Sequence, residues 1–363
     1  MEITTIGIDL AKSVFALSGA DERGKVVLRK QLRRAQVVEL LGRVGRCVVG
    51  MEACGGAHHW ARRIAALGHE VRLMSPALVA PYRKGNKHDR NDADAVLEAV
   101  SRPSMRFVAV KSVAQQDLLA LHRVRSRLMK QRIALSNQIR ALLHERGAVA
   151  RPGAAGLRAG VAAALADEHN ELSGEMRALV AELMEELRAL ELRLKSFDQR
   201  IERAAGRDQR CVRLQEVPGV GPLIASALVA TVGNAREFRN GRELSAYLGL
   251  TPRQHSSGGK TVMLGISKHG DRYLRTLMIH GARAVLYGKR RRTHPRAAWA
   301  ARLVASRGPN VAAVALANHN ARVLWALLSR DDRYQARRAV FRPDPPTPVE
   351  RARAEKLLIV KAS

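Results

Sequence analysis

Acid is scarce in this chain. Thirty-three Asp and Glu stand against 63 Lys and Arg in 363 residues, a formal net charge of +30. That imbalance leaves the fold open but narrows the partners to DNA, RNA or an anionic membrane surface. Cysteine is also sparse. Cys47, Cys54 and Cys211 are too few and too scattered for a zinc site or a disulfide framework, and they fit a reducing cytoplasm. Aromatic residues make up only 4%, which argues against a protein that holds single strands by stacking their bases. No run of eighteen apolar residues occurs, so no membrane-spanning helix is expected. The N-terminal MEITTIGIDLAK reads as a strand and lacks the apolar segment of a signal peptide. What is present is 46% hydrophobic residues, enough for real cores, in a length that suggests two or three domains.

Residues 3–9, 13–20 and 25–32 read as strands, with DERG as the hairpin turn between the second and third. A helix over 35–45, a short apolar strand over 46–52, a helix over 57–67 and a strand over 70–74 follow, before the Ser-Pro break at 75–76. A three-strand meander followed by alternating helices and strands predicts a mixed sheet covered by helices over residues 1–110.

Residues 111–205 hold two long charged helical stretches, 115–146 and 174–205, joined by a small-residue linker near 147–157. In the second, Val180, Leu183, Leu187, Leu190, Leu194 and Ile201 follow the four-three spacing of a coiled-coil seam. In the first, the stripe of Leu118, Leu121, Leu128, Leu135, Ile139 and Leu142 is interrupted by Arg125 and Arg132. The pattern predicts an antiparallel helical hairpin or a dimerising arm, with two ordinary packed helices as the alternative. Residues 206–335 are expected to be mostly helical. Between 244 and 330, fifteen Lys and Arg face one acid, Asp271, which points to a polyanion contact. Residues 336–363 are Pro-rich and charged, and are expected to be disordered or loosely docked.

Against this basic background four acids stand out. Asp9 closes the first strand, Glu52 closes the central one, and Asp89 and Asp92 open a helix predicted over 92–100. Collected acids repel each other unless a cation neutralises them. Neighbouring strand ends lie about 4.8 Å apart, and residues three apart on a helix share a face. Capping of the helix start is the bland reading of the aspartate pair; Asp94 is expected to face solvent. Together the four could hold two divalent cations roughly 4 Å apart, one for the attacking and one for the leaving oxygen of a phosphodiester. All-oxygen donors suit Mg²⁺ or Mn²⁺ and not zinc. In this strand order the set resembles the RNase H/RuvC-like nucleases. His58 and His59 lie near in sequence but are expected on the helix surface or in the core, since histidine rarely joins a hard-oxygen Mg²⁺ site.

Two further segments carry chemistry. VPGVGPLIASALVATVG (217–233) sets Gly219 and Gly221 between apolar flanks before a helix, a helix-hairpin-helix-like pattern whose backbone N–H groups could meet a phosphate. A tight interhelical turn is the alternative. GLTPRQHSSGGK (249–260) reads on composition as a surface loop. Ser256 and Ser257 have His255 beside them and Arg253, Lys260 and Lys268 nearby; a serine attacking phosphorus needs activation by a base and a positively charged pocket. No residue close in sequence is a convincing base, because a His in an extended loop rarely faces the same way as its neighbour.

GIDLAK, MEACGGAHHWAR, KHDRNDADA, VPGVGPLIA, YLGLTPRQHSSGGK and GISKHGDRYLR, in this order, resemble the bacterial insertion-sequence transposases with an N-terminal DEDD domain and a C-terminal serine-bearing transposase domain. Bridge-RNA-guided recombinases and pilin-gene invertases are relatives of that family. The resemblance covers about residues 3–330. It implies an α/β plus α architecture: a RuvC-like mixed sheet, a coiled-coil helical arm and a mostly helical C-terminal domain. It implies Asp9, Glu52, Asp89 and Asp92 as the metal-binding tetrad. The family's serine precedes the Gly of a Ser-Gly pair, five residues after the Pro of GLTP, which is Ser257 and not Ser256. The resemblance implies a covalent phosphoserine link there, in a composite site joining two domains. It further implies donor and target DNA, a structured noncoding guide RNA, dimers or tetramers formed through the arm, and a bacterial cytoplasmic setting. Gly219, Gly221, Arg253, Lys260, Lys268, Arg272 and Arg275 are the expected nucleic-acid contacts. Cys54 stands where some relatives carry Thr.

Three functions compete on the sequence: a recombinase using both the tetrad and the serine, a junction nuclease that activates water and never uses the serine, and a basic nucleic-acid scaffold whose acids are caps and strand-end decoration.

Overall fold

The computed structural model describes residues 2–86, 88–288 and 295–335, with side chains from 298 onward in the last stretch. The tail expected over 336–363 lies outside the described residues. The chain forms two compact units, Met1–Gln116 and Asp117–Ser363.

In the first unit the described elements are β1 (Thr5–Asp9), β2 (Val14–Ala20), β3 (Val26–Arg33), α1 (Arg34–Arg43), β4 (Val48–Glu52), α2 (Ala57–Ala65), β5 (Glu70–Met74), α3 (Pro76–Val79), α4 (Asp89–Val100) and β6 (Phe107–Val108). The strands form one mixed sheet in the order β3-β2-β1-β4-β5-β6. β1, β2 and β3 pair antiparallel, β1, β4 and β5 pair parallel, and β6 adds an antiparallel edge to β5. The two-residue β6 has no period that a sequence reading could detect. This is the expected mixed sheet, with the strand order of an RNase H-like fold.

The central strands are buried on both faces, as covered parallel strands are. On one face Ile6, Ile8, Phe15, Leu17, Val49 and Met51 pack with α1 and α2 around Trp60. Trp60 meets Phe15 edge-on at 4.9 Å between ring centroids. On the other face α4 buries Ala95, Val96, Ala99 and Val100. That helix lies unusually close to the sheet because the residues beneath it are glycines. A Cβ on Gly7 would stand 2.4 Å from the backbone N of Leu97 and 2.6 Å from the carbonyl O of Ala93. Gly50 is its neighbour across the parallel pair, and a Cβ there would stand 2.7 Å from the Val100 Cβ.

The second unit takes up α5 (Val113–His144), α6 (Gly153–Ala166), α7 (Gly174–Arg207), α8 (Gln209–Leu214), α9 (Pro222–Val232), α10 (Gly241–Tyr247), β7 (Pro252–Ser257), β8 (Lys260–Ile266), α11 (Arg272–Tyr287), α12 (Pro295–Arg307) and α13 (Pro309–Arg330). The seam of α7 is buried against Leu128, Leu135, Ile139 and Leu143 of α5, which makes an antiparallel pair within the chain. Part of the stretch read as a linker is α6; its Leu157 and Val161 close the end of that core. Arg125, which breaks the α5 stripe, reaches across to an ion pair with Asp198 on α7. The remaining helices share one core around Leu214, Leu228, Leu244, Leu274, Met278 and Leu324. By length and composition α13 could cross a membrane, unlike the expectation from apolar runs; its buried residues, Ala313, Leu316, Ala317 and Leu324 among them, lie in this core.

A buried polar chain runs through the second unit. His122 on α5 is 1% exposed; its Nε2 lies 3.0 Å from the Ser226 hydroxyl and its Nδ1 3.0 Å from the Tyr273 hydroxyl. The Ser226 hydroxyl donates to the Pro222 carbonyl at 2.6 Å. Its one proton is therefore committed, so it accepts from His122 Nε2–H, and Nδ1 accepts from Tyr273. Burial, then the nearby Arg125 charge, hold the His122 pKa down at about 4.

Candidate active site

Asp9 and Glu52 end β1 and β4, and the parallel register Ile8↔Met51 sets these two ends side by side. Both side chains are half-buried. Cys54 lies just beyond. Burial raises its thiol pKa, and the negative charges of Glu52 and Asp9 raise it further, so both carboxylates bear on one point.

Asp89 and Asp92 come from the first turn of α4, which starts three residues earlier than predicted. Neither caps the helix. The N-cap is His88, whose Nδ1 accepts from the Arg90 N–H at 3.2 Å. Capping therefore does not account for the pair. Asp89 is exposed, while Asp92 is partly buried and makes an ion pair of 3.3 Å with Arg83. Asp94 is not the solvent-facing residue expected: its carboxylate accepts from the Ser18 hydroxyl at 2.5 Å and from Arg29 at 3.1 Å, which pins α4 to β2 and β3.

The structure thus brings Asp9 and Glu52 together and presents the aspartate pair from a helix packed on the same strands. Among the described residues no group of three His, Cys, Asp or Glu is close enough to hold a metal ion. The donor set is all oxygen, and two adjacent carboxylates suit a hard cation that completes its shell with water and substrate phosphate. The Nδ1 of His58 accepts from the Lys111 N–H at 3.2 Å, tying α2 to the segment after β6. His59 is exposed, edge-on to Trp60. Arg83, six residues before Asp89 in sequence, carries no local pattern that would mark it as a partner of Asp92.

The serine segment is a β-hairpin, not the loop its composition suggested. β7 and β8 pair antiparallel with Ser257 opposite Lys260 and His255 opposite Val262. Gly258 and Gly259 make the two-residue turn at φ 54° and 76°. Left-handed backbone at both positions is what this tight hairpin turn requires and what glycine tolerates. Side chains alternate along a strand, so His255 and Ser257 share a face with Lys260 and Val262, while Ser256 faces the other way. His255 thus faces away from its sequence neighbour Ser256, as expected, and toward the side of Ser257 two residues on. All of these residues are exposed. The Ser256 hydroxyl is held by Gln254 at 2.8 Å, and no described residue hydrogen-bonds the Ser257 hydroxyl.

The basic residues around the hairpin divide. Arg253, Lys260, Lys268 and Arg272 are exposed. Lys268 sits at φ 57°, a left-handed conformation rare outside glycine. Arg275 is 8% exposed and donates to the carbonyls of Leu248 and His269 at 3.2 and 2.7 Å, so its guanidinium braces the base of the hairpin from inside. Gly219 has a packing reason to be glycine: a Cβ there would stand 2.6 Å from the Gly281 carbonyl on α11. Gly221, at the N-cap of α9, has open space around it. The lining of the cavity of about 1010 Å³ beside both includes Asp198, Glu202 and Glu216.

Two family models match the chain. Residues 6–146 match the DEDD transposase model of IS110 type, and residues 211–298 match a model described as Transposase IS116/IS110/IS902 family. The chain is 50% identical over 336 residues to a probable family 20 transposase of Pseudomonas aeruginosa, covering 92% of this chain and 99% of the relative. It is 46% identical to the transposase for insertion sequence element IS1111A of Coxiella burnetii, covering 92% of each. A pilin gene-inverting protein of Moraxella bovis is 31% identical over 85 residues, 23% of this chain and 26% of that protein.

Proposed function

Because the chain belongs to the IS116/IS110/IS902 family of transposases, enzymes that cut and rejoin DNA, we propose that it moves its insertion sequence with a carboxylate-held metal and the Ser257 nucleophile. A DEDD domain of this type depends on divalent metal. The observation that carries the metal half is the pairing of Asp9 and Glu52 at adjacent strand ends. They would anchor Mg²⁺ or Mn²⁺, with Asp92 and Asp89 contributed by α4. Bound there, the cation lowers the pKa of an attacking oxygen and neutralises phosphate charge. The Asp94–Ser18 bond and the Gly7 contact hold α4 at a fixed height, and with it the two aspartates.

In the serine half, Ser257 Oγ attacks phosphorus and releases one strand oxygen. The His255 imidazole on the same face takes the hydroxyl proton and gives it to the strand oxygen as its bond to phosphorus breaks, and the Lys260 ammonium opposite meets the phosphate. Arg253, Lys268 and Arg272, exposed around the hairpin, hold flanking phosphates. An element-encoded RNA supplies base pairing with donor and target. The paucity of aromatics supports this division, since the protein then needs backbone and shape contacts only. Assembly through the arm uses what the seam leaves exposed, Ile133 and Leu192, and takes place in the bacterial cytoplasm.

Denaturing electrophoresis of cleavage reactions tests the reading. Wild type and Ser256→Ala should trap a covalent protein–DNA adduct that Ser257→Ala lacks. Metal-dependent cleavage by Ser257→Ala without any adduct favours the water-using nuclease, which the unpartnered Ser257 hydroxyl would suit.

A further inference from the structure

Four arginines line a cavity of about 590 Å³ between α10 and α13: Arg242 on α10, Arg322 and Arg330 on α13, and Arg333 just beyond it. Among the described residues none of the four makes an ion pair, whereas Arg125, Arg213 and Arg239 of the same unit each have an acid partner. The one acid in the described lining is Asp332, whose carboxylate accepts from the Arg333 backbone N–H at 2.8 Å. Like charges around a concavity repel unless an anion enters.

The walls are built to hold a shape. Gly241 lies against the α13 backbone: a Cβ there would stand 2.8 Å from Arg322 Cα and 2.9 Å from its carbonyl O. The Trp325 indole N–H donates to the carbonyls of Ala235 and Phe238 at 3.1 and 3.0 Å, which fixes its plane, and Arg330 lies 6.0 Å over the ring. Arg242, Arg322 and Arg330 therefore project from helices whose backbones are packed against each other.

We propose that this cavity is a phosphodiester-binding site for the backbone of a nucleic acid, separate from the serine hairpin. It lies at the N-terminal end of α10, and the chain leaves the other end of α10 toward β7. Seven residues of helix span roughly 10 Å, so one nucleic acid can lie along both. The site does not depend on the serine or the metal reading, and binding without catalysis tests it.

The test is fluorescence-anisotropy titration across a salt series, with an arbitrary duplex DNA and, separately, an arbitrary single-stranded RNA. Full-length wild type is compared with Arg242→Gln/Arg322→Gln/Arg330→Gln and with a charge-matched control, Arg193→Gln/Lys195→Gln/Arg200→Gln, on the exposed face of α7. For at least one probe the triple variant should flatten the slope of log affinity against log salt by about 2 to 3, one unit or slightly less per lost phosphate contact. The control should leave the slope nearly unchanged. A response to DNA assigns the site to duplex, and a response to RNA to single strand. Equal losses in variant and control, an unchanged slope with both probes, or competition by inorganic phosphate without a polymer effect would each overturn the proposal. Arg330→Gln alone, which removes only an exposed side chain, should give about one third of the effect and guards against misfolding of the triple variant.

Discussion

Gly7 and Gly50 sit side by side on the parallel strands β1 and β4, and α4 lies on both, its backbone over Gly7 and its Val100 side chain over Gly50. The contact sets the height of the helix whose first turn carries Asp89 and Asp92. It also places a structural demand directly behind the carboxylates of the same two strands.

Gly7→Ala should destabilise the first unit by about 1–3 kcal/mol, the usual cost of overpacking, because the added Cβ meets backbone atoms of α4. Gly50→Ala meets the Val100 side chain instead and should cost less. Urea unfolding of the full chain followed by a probe in the first unit measures both. Equal stability of Gly7→Ala and wild type would contradict the packing described.

The Arg83–Asp92 ion pair predicts a competition. Arg83 is partly exposed, so Arg83→Ala should change stability by less than about 1 kcal/mol. If Asp92 serves the metal, removing the competing guanidinium should raise Mn²⁺ affinity a few-fold in calorimetry. Asp9→Asn should lower that affinity and cut cleavage by on the order of a hundredfold or more. Unchanged affinity in Arg83→Ala would take Asp92 out of the metal site.

His122 gives a pH signature. Its pKa is held at about 4 by burial, against an ordinary value near 6.5. Between those values the unfolded chain binds a proton that the folded chain excludes. Stability of the second unit is thus full above pH 6.5 and falls as pH drops toward 4, by on the order of 3 kcal/mol. Thermal unfolding of wild type and His122→Asn across this range checks it. The variant should be less stable at neutral pH and should show a shallower slope between pH 6.5 and 4.

Much of the first unit was legible because its strands are short, apolar and bounded by turn residues. Residues 70–74 form β5 as predicted, and the DERG turn joins β2 to β3. Residues 147–157 read as a linker because small residues carry little periodicity, yet α6 begins within them at Gly153. The β7–β8 hairpin was read as loop because both strands are polar and exposed, which removes the alternation that marks a half-buried strand.

The same holds at the site. The chemical inventory is already in the residues: strand-end acids, a Ser-Gly-Gly turn, and a charge that demands a polyanion. These follow from residue type and local period, which a chain carries before it folds. How they are arranged depends on the packing of the folded chain. It set Asp9 beside Glu52, gave Asp92 to Arg83, turned Asp94 inward onto Ser18, put His255 on the face of Ser257 and committed Arg275 to carbonyls within the protein. Each of these joins residues set by strand register or by the packing of separate elements, information that no local window of sequence contains.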